Sequence, residues 1–165
     1  MSSVRSPKKS PSVPAPADTA APASEPVDTG FLRTLVGYNT RRAALSIIAV
    51  FMERMAVYDL KVVDFSVLSL VAHNPGITSR QLCATLSVLP PNMVGLIAAL
   101  ERRGLIERRP HPSDGRAMGV HLTPAGVELT AQAEQTAAQL EEDATNRLTA
   151  AERKTLIRLL QKVYD

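Results

Sequence analysis

The sequence predicts a mainly α-helical domain that carries one small β-hairpin. Three observations point there. Apolar residues recur at helical spacing along most of the chain beyond residue 29. Aromatic residues make up only 4% and there is no tryptophan, a composition poor for a sheet core. One stretch alone, Ile106 to Leu122, alternates like a pair of strands about a turn. Six helices and one hairpin are expected.

The length of 165 residues suits one domain plus an arm. Net charge is +3, so the clustering of arginines carries more information than the total. One cysteine excludes an internal disulfide framework and fits a reducing compartment. There is no apolar signal core at the N-terminus and no run of membrane-spanning length, so a cytoplasmic protein without a membrane partner is expected. Residues 1–28 are rich in Pro, Ala and Ser, with too little apolar surface to offset ordering entropy, and read as a disordered arm.

Each later element has a local cause. Phe31, Leu32, Leu35, Leu45, Ile48, Phe51, Met52 and Met55 predict one long helix from about Thr29 to Ala56. It is apolar on more than one face and needs several partners. Asp64 is expected to cap a second helix, which Asn74-Pro75-Gly76 ends. Thr78 and Gln81 have the capping-box spacing for a short third helix, with Leu82, Cys83 and Leu86 inward. Val88-Leu89-Pro90 then turns the chain. Pro91 suits the first position of a fourth helix, with Val94, Ile97 and Leu100 toward the core and Gly104 as its left-handed terminator. Helix, turn, helix in this form is the unit that reads DNA. The hairpin runs Ile106–His111 and Arg116–Leu122 about the turn Pro112-Ser113-Asp114-Gly115. Thr123 caps a long alanine-lined helix that runs to about Asn146. Thr149 and Glu152 box the last helix, which is expected to bury Leu156, Ile157, Leu159, Leu160 and Val163. The two ends carry more apolar surface than one domain uses, which predicts a dimer interface built from them.

Three motifs in order, Leu100-Glu101-Arg102-Arg103-Gly104-Leu105-Ile106-Glu107-Arg108, Asp114-Gly115-Arg116 and Leu122-Thr123-Pro124-Ala125-Gly126, closely resemble the multiple antibiotic resistance regulator (MarR) family over residues 30–165. The resemblance implies a winged helix-turn-helix and an interleaved homodimer. It divides the chain into dimerisation segments at 29–57 and 124–165 and a DNA-binding lobe at 62–123. It also implies a repressor that holds double-stranded operator DNA of pseudo-palindromic sequence and is released by a small effector, often an aromatic acid. The alternative is an effector-independent, architectural DNA-binding protein. Two departures stand out. Val94-Gly95 occupies the place where the family often has Ser or Thr followed by Arg, and Gly115 the place of a second wing arginine.

The DNA-contact candidates are Ser79, Arg80, Ser87, Pro91, Asn92, Met93, Arg102, Arg103, Arg108, Arg109, Asp114 and Arg116. Arg116 suits a narrow minor groove, with Asp114 holding it. Arg102, Arg103, Arg108 and Arg109 suit phosphates, though Arg103 has the alternative of serving the helix end at Gly104. Ser79, Arg80, Ser87 and Asn92 are placed at helix N-terminal ends, where they meet phosphates or only cap. Asn92 suits an adenine edge and Met93 a thymine methyl. Tyr38, Arg41, Arg42 and His73 are the candidates for an anionic effector, the alternative being polar surface or dimer contacts. Cys83 reads as an inert thiol on an apolar face. The histidines have no metal-ligand spacing, and no cofactor or catalytic group is expected.

Overall fold

A computed structural model describes residues 27–111 and 114–164, without the side chains of residues 111–116. The expected arm therefore lies outside the described residues as far as residue 26, and so do Pro112 and Ser113 of the turn. The elements run α1 (Gly30–Arg33), α2 (Val36–Met55), a 3-10 turn (Ala56–Tyr58), α3 (Val62–His73), β1 (Ile77–Thr78), α4 (Ser79–Leu86), α5 (Pro90–Arg102), β2 (Ile106–His111), β3 (Asp114–Leu122), α6 (Pro124–Ala144) and α7 (Ala150–Tyr164).

The first long helix is two, which makes seven α-helices among the described residues rather than the expected six. Leu35 is extended, with φ −92° and ψ 129°. The break satisfies its own backbone. Thr34 Oγ1 donates to Phe31 O at 2.7 Å, and Asn39 Nδ2 donates to the carbonyls of Arg33 and Leu35, each at 2.8 Å. Asp64 does not cap α3. Lys61 holds that position, and Asp64 accepts the Lys61 backbone N–H at 3.1 Å from inside the first turn.

The hairpin acquires a third strand. Two-residue β1 pairs antiparallel with β3 (Ile77 with Val120, Thr78 with Gly119), so the sheet order is β1-β3-β2. Gly119 permits the pairing, because a Cβ there would lie 2.7 Å from Gly76 O. In β2–β3, Ile106 faces Leu122 and Arg109 faces Gly119, with an irregularity at Pro110/His111.

The core lies between α3, α4, α5, the sheet and the inner face of α6. Met55, Val67, Leu68, Leu82, Met93, Ile97, Leu100 and Val120 are buried in it, and Phe51 meets Phe65 edge-on at 5.6 Å between ring centroids. Met93 takes the inward position expected of Val94, which is 57% exposed. The expected burial of α7 does not occur within one chain. Leu156, Ile157, Leu159 and Val163 are exposed and Leu160 is half-buried. Among the described residues no second layer lies over them, and Leu156, Leu159, Leu160 and Val163 face α2 across an apolar groove of about 630 Å³. Among the described residues, no single helix is long and apolar enough to cross a membrane.

Candidate nucleic-acid interface

Helices α4 and α5 meet at a bend of 115° across the turn Ser87-Val88-Leu89, within the range of helix-turn-helix units. The geometry is built locally. Thr78 Oγ1 accepts the Gln81 N–H at 3.3 Å while Gln81 Oε1 accepts the Thr78 N–H at 2.9 Å. Ser79 and Arg80 then stand in the first turn of α4, Ser79 half-buried and Arg80 exposed. Ser87 is placed differently from the expectation. It is the C-terminal cap of α4, left-handed at φ 52°, with its N–H on Cys83 O. It does not cap α5.

The start of α5 needs no side-chain cap. Pro90 and Pro91 hold its first two positions and have no N–H to satisfy. The Asn92 and Met93 N–H groups turn back to Leu89 O at 3.0 and 3.1 Å. The two prolines thus remove much of the free amide cluster that would make this end a phosphate site, contrary to the expectation for Asn92. What remains at Asn92 is an exposed side chain.

Met93 cannot touch DNA. It is fully buried and has no surface to offer a thymine methyl, contrary to the expectation. Apolar spacing of three or four fits both 94-97-100 and 93-97-100. The half-buried Leu96 beside Ile97 was the available signal that the second phase is correct.

The four arginines diverge. Arg103 donates from Nη1 to Asp59 O and from Nη2 to Tyr58 O, both at 2.7 Å. It clamps the end of α5 to the turn before α3, which corrects its placement on phosphate. Asp59 makes the clamp possible, because its left-handed φ of 50° ends the 3-10 turn there. Tyr58 in turn shares a 2.9 Å hydrogen bond with Thr136 Oγ1 of α6. Arg108 pairs with Glu101 at 2.8 Å, and Arg109 pairs with Glu107. These are surface pairs, weak enough to exchange for a phosphate. Arg102 is exposed and makes no ion pair among the described residues. Asp114 and Arg116 stand at the outer end of β3, but their side chains lie outside the described residues.

The effector candidates are not assembled into one pocket. Tyr38 is half-buried, and Arg41 and Arg42 are exposed on α2, on the stretch that borders the apolar groove without lining it. His73 ends α3, with Nε2 3.0 Å from Glu134 Oε1 of α6, an oxygen that also accepts from Ser69 Oγ at 2.7 Å. None of the four lines the described cavities. A shallower recess of about 260 Å³ lies beside Tyr58, between the 3-10 turn and the first turns of α6. Cys83 is half-buried against the core.

Comparison with known proteins places this geometry. The model of the MarR family matches residues 58–117, from Tyr58 of the Arg103 clamp into the second strand of the hairpin. A protein of Thauera aromatica described as a transcriptional regulatory protein for the hcr operon is 37% identical over 100 residues, 61% of this chain. The match spans 60% of that relative's length. The structure of the transcriptional repressor CouR bound to a 23-mer DNA duplex is similar at TM-score 0.79 and 34% identity, covering 85% of this chain and 99% of that one. A structure of Bordetella bronchiseptica BpsR, concerned with regulation of its DNA binding by 6-hydroxynicotinic acid, is similar at TM-score 0.73 and 27% identity, covering 79% of this chain and 94% of that one. With the helix-turn-helix, the wing and near-complete coverage of a DNA-bound relative in agreement, the chain belongs to the MarR family, whose members are transcriptional regulators and not enzymes.

Proposed function

We propose that this regulator is a cytoplasmic repressor. It holds a pseudo-palindromic operator as a homodimer and leaves it when an aromatic acid or similar small molecule binds. The observation that carries the proposal is α5, which presents an exposed face beside a two-stranded wing with exposed arginines. That arrangement puts a helix in a major groove and the wing over the adjacent minor groove. The similarity to CouR on its duplex supports it. Contact falls to Ser79, Arg80, Pro91, Asn92, Arg102, Arg108 and Arg109, with Asp114 and Arg116 at the wing.

Dimerisation through residues 29–57 and 124–165 would cover the apolar groove between α2 and α7 together with the exposed apolar side chains of the two helices. The DNA-binding lobe is then residues 62–123. The similarity to BpsR supports a small aromatic acid as effector. Arg41 and Arg42 are exposed cations without an acidic partner among the described residues, and they are the candidates for its carboxylate. His73 is already tied to Glu134.

Gel-shift titration with the DNA flanking the gene tests the proposal. Binding should fall steeply as salt rises, because phosphate contacts release counterions. Indifference to every such duplex at low salt would overturn it. A thermal-shift screen of aromatic acids separates a ligand-responsive repressor from an architectural protein, since a ligand of the folded form must raise the melting temperature.

A further inference from the structure

Burial of Met93 sets the rotation of α5 about its own axis. At about 100° per residue, Pro91, Gly95 and Arg102 fall opposite Met93, Ile97 and Leu100, with Val94 to one side and Asn92 to the other. Val94 is 57% exposed and Leu89, just before the helix, 70%. Nothing lies within 4 Å of where a Cβ of Gly95 would stand, so the helix can approach a surface closely there. Among the exposed residues from Pro90 to Gly95, only Asn92 has a side chain that hydrogen-bonds.

Most base edges in the major groove are told apart by donors and acceptors. Thymine alone carries a methyl group there. A face made of Pro91 and Val94 has no donor or acceptor to offer, but it can exclude water from a methyl. The geometry points to Val94, seconded by Pro91, as the specificity determinant: it selects thymine C5-methyl groups in each half-site, while Asn92 supplies the hydrogen bonds. This rests on the reading of α5 as the groove-bound helix. It moves the methyl contact from buried Met93 to its exposed neighbour.

The test starts from duplexes enriched from a random library by the full-length protein. Each thymine of the enriched site is replaced in turn by deoxyuridine, which removes only the methyl, and affinity is measured by fluorescence anisotropy at fixed salt. One or two positions per half-site should lose about fourfold each, the worth of one buried methyl group. Val94→Ser should abolish that discrimination and leave the melting temperature and salt slope unchanged, because the side chain is outside the core. Deoxyuridine tolerated at every position would overturn the inference, as would discrimination kept in full by Val94→Ser. Steep salt-dependent binding without a methyl effect sinks this inference alone. Failure to enrich any duplex sinks the groove-bound reading of α5 and this inference with it.

Discussion

Gly126 shows how little room the junction of wing and α6 leaves. A Cβ there would stand 1.9 Å from Leu105 O, inside any allowed contact, and the obstacle is backbone rather than a flexible side chain. The close approach lets Thr123 cap α6 through the Gly126 N–H at 3.0 Å while the Thr123 N–H bonds Leu105 O at 3.0 Å. Gly126→Ala should therefore destabilise the protein by about 3 kcal/mol, the upper end of overpacking costs, read as a fall in thermal or denaturant midpoint. An unchanged midpoint would contradict the packing described. The arginines at the end of α5 separate by destination. Arg102→Ala should weaken operator binding and reduce the salt slope by about one, as loss of one phosphate contact does. Arg103→Ala should keep that slope and instead lower stability by about 1 kcal/mol, because its hydrogen bonds to Tyr58 and Asp59 are exposed. Equal effects of the two substitutions on the slope would mean that Arg103 also reaches DNA.

At the scale of the element, caps decide where helices begin. The start of α7 depends on Glu152, whose carboxylate accepts the Thr149 N–H and hydroxyl, both at 2.8 Å. The backbone hydrogen bond, then the hydroxyl, holds its pKa below the ordinary value of 4.5. A carboxyl whose folded pKa is depressed adds stability above its unfolded pKa and loses it as pH falls through the folded one. The start of α7 should therefore loosen below pH 4.5, seen as a helical circular-dichroism change that Glu152→Gln removes. An identical acid profile in that variant would refute the assignment. Helix α5 behaves in the opposite way. Prolines at its first two positions take away donors instead of capping them, so α5 begins with few free amides.

At the scale of the molecule, one chain leaves its two ends incompletely covered. The exposed faces of α2 and α7 make an apolar surface that a second copy would bury, and the symmetry of that pair would set two reading helices on one side. Leu159→Glu should convert the dimer to a monomer in light scattering and weaken operator binding far more than it weakens binding to random DNA at low salt. A dimer that persists would place the interface elsewhere. The link Arg103–Tyr58–Thr136 runs from the end of α5 to α6, so a shift of the proposed dimerisation helix would be felt at the reading helix.

Much of this was legible in the residues because it depends on short-range chemistry. The Thr78, Thr123 and Thr149 caps, the left-handed Gly104 at φ 69° and the stop at Asn74-Pro75-Gly76 each involve groups within a few residues of one another. So do the apolar periodicity that announces the helices and the three motifs that place the family. Tertiary structure alone decided the rest. Whether Met93 or Val94 faces inward depends on which side of α5 the core lies, and both phases satisfy helical spacing. The third strand is two residues long and exists only because Gly119 lets Gly76 approach. Arg103 finds its carbonyls 44 and 45 residues away, a separation that no local rule spans. Local preference is written in neighbouring residues, but the partner of an exposed guanidinium or an ambiguous helix face is chosen by whatever the folded chain brings next to it.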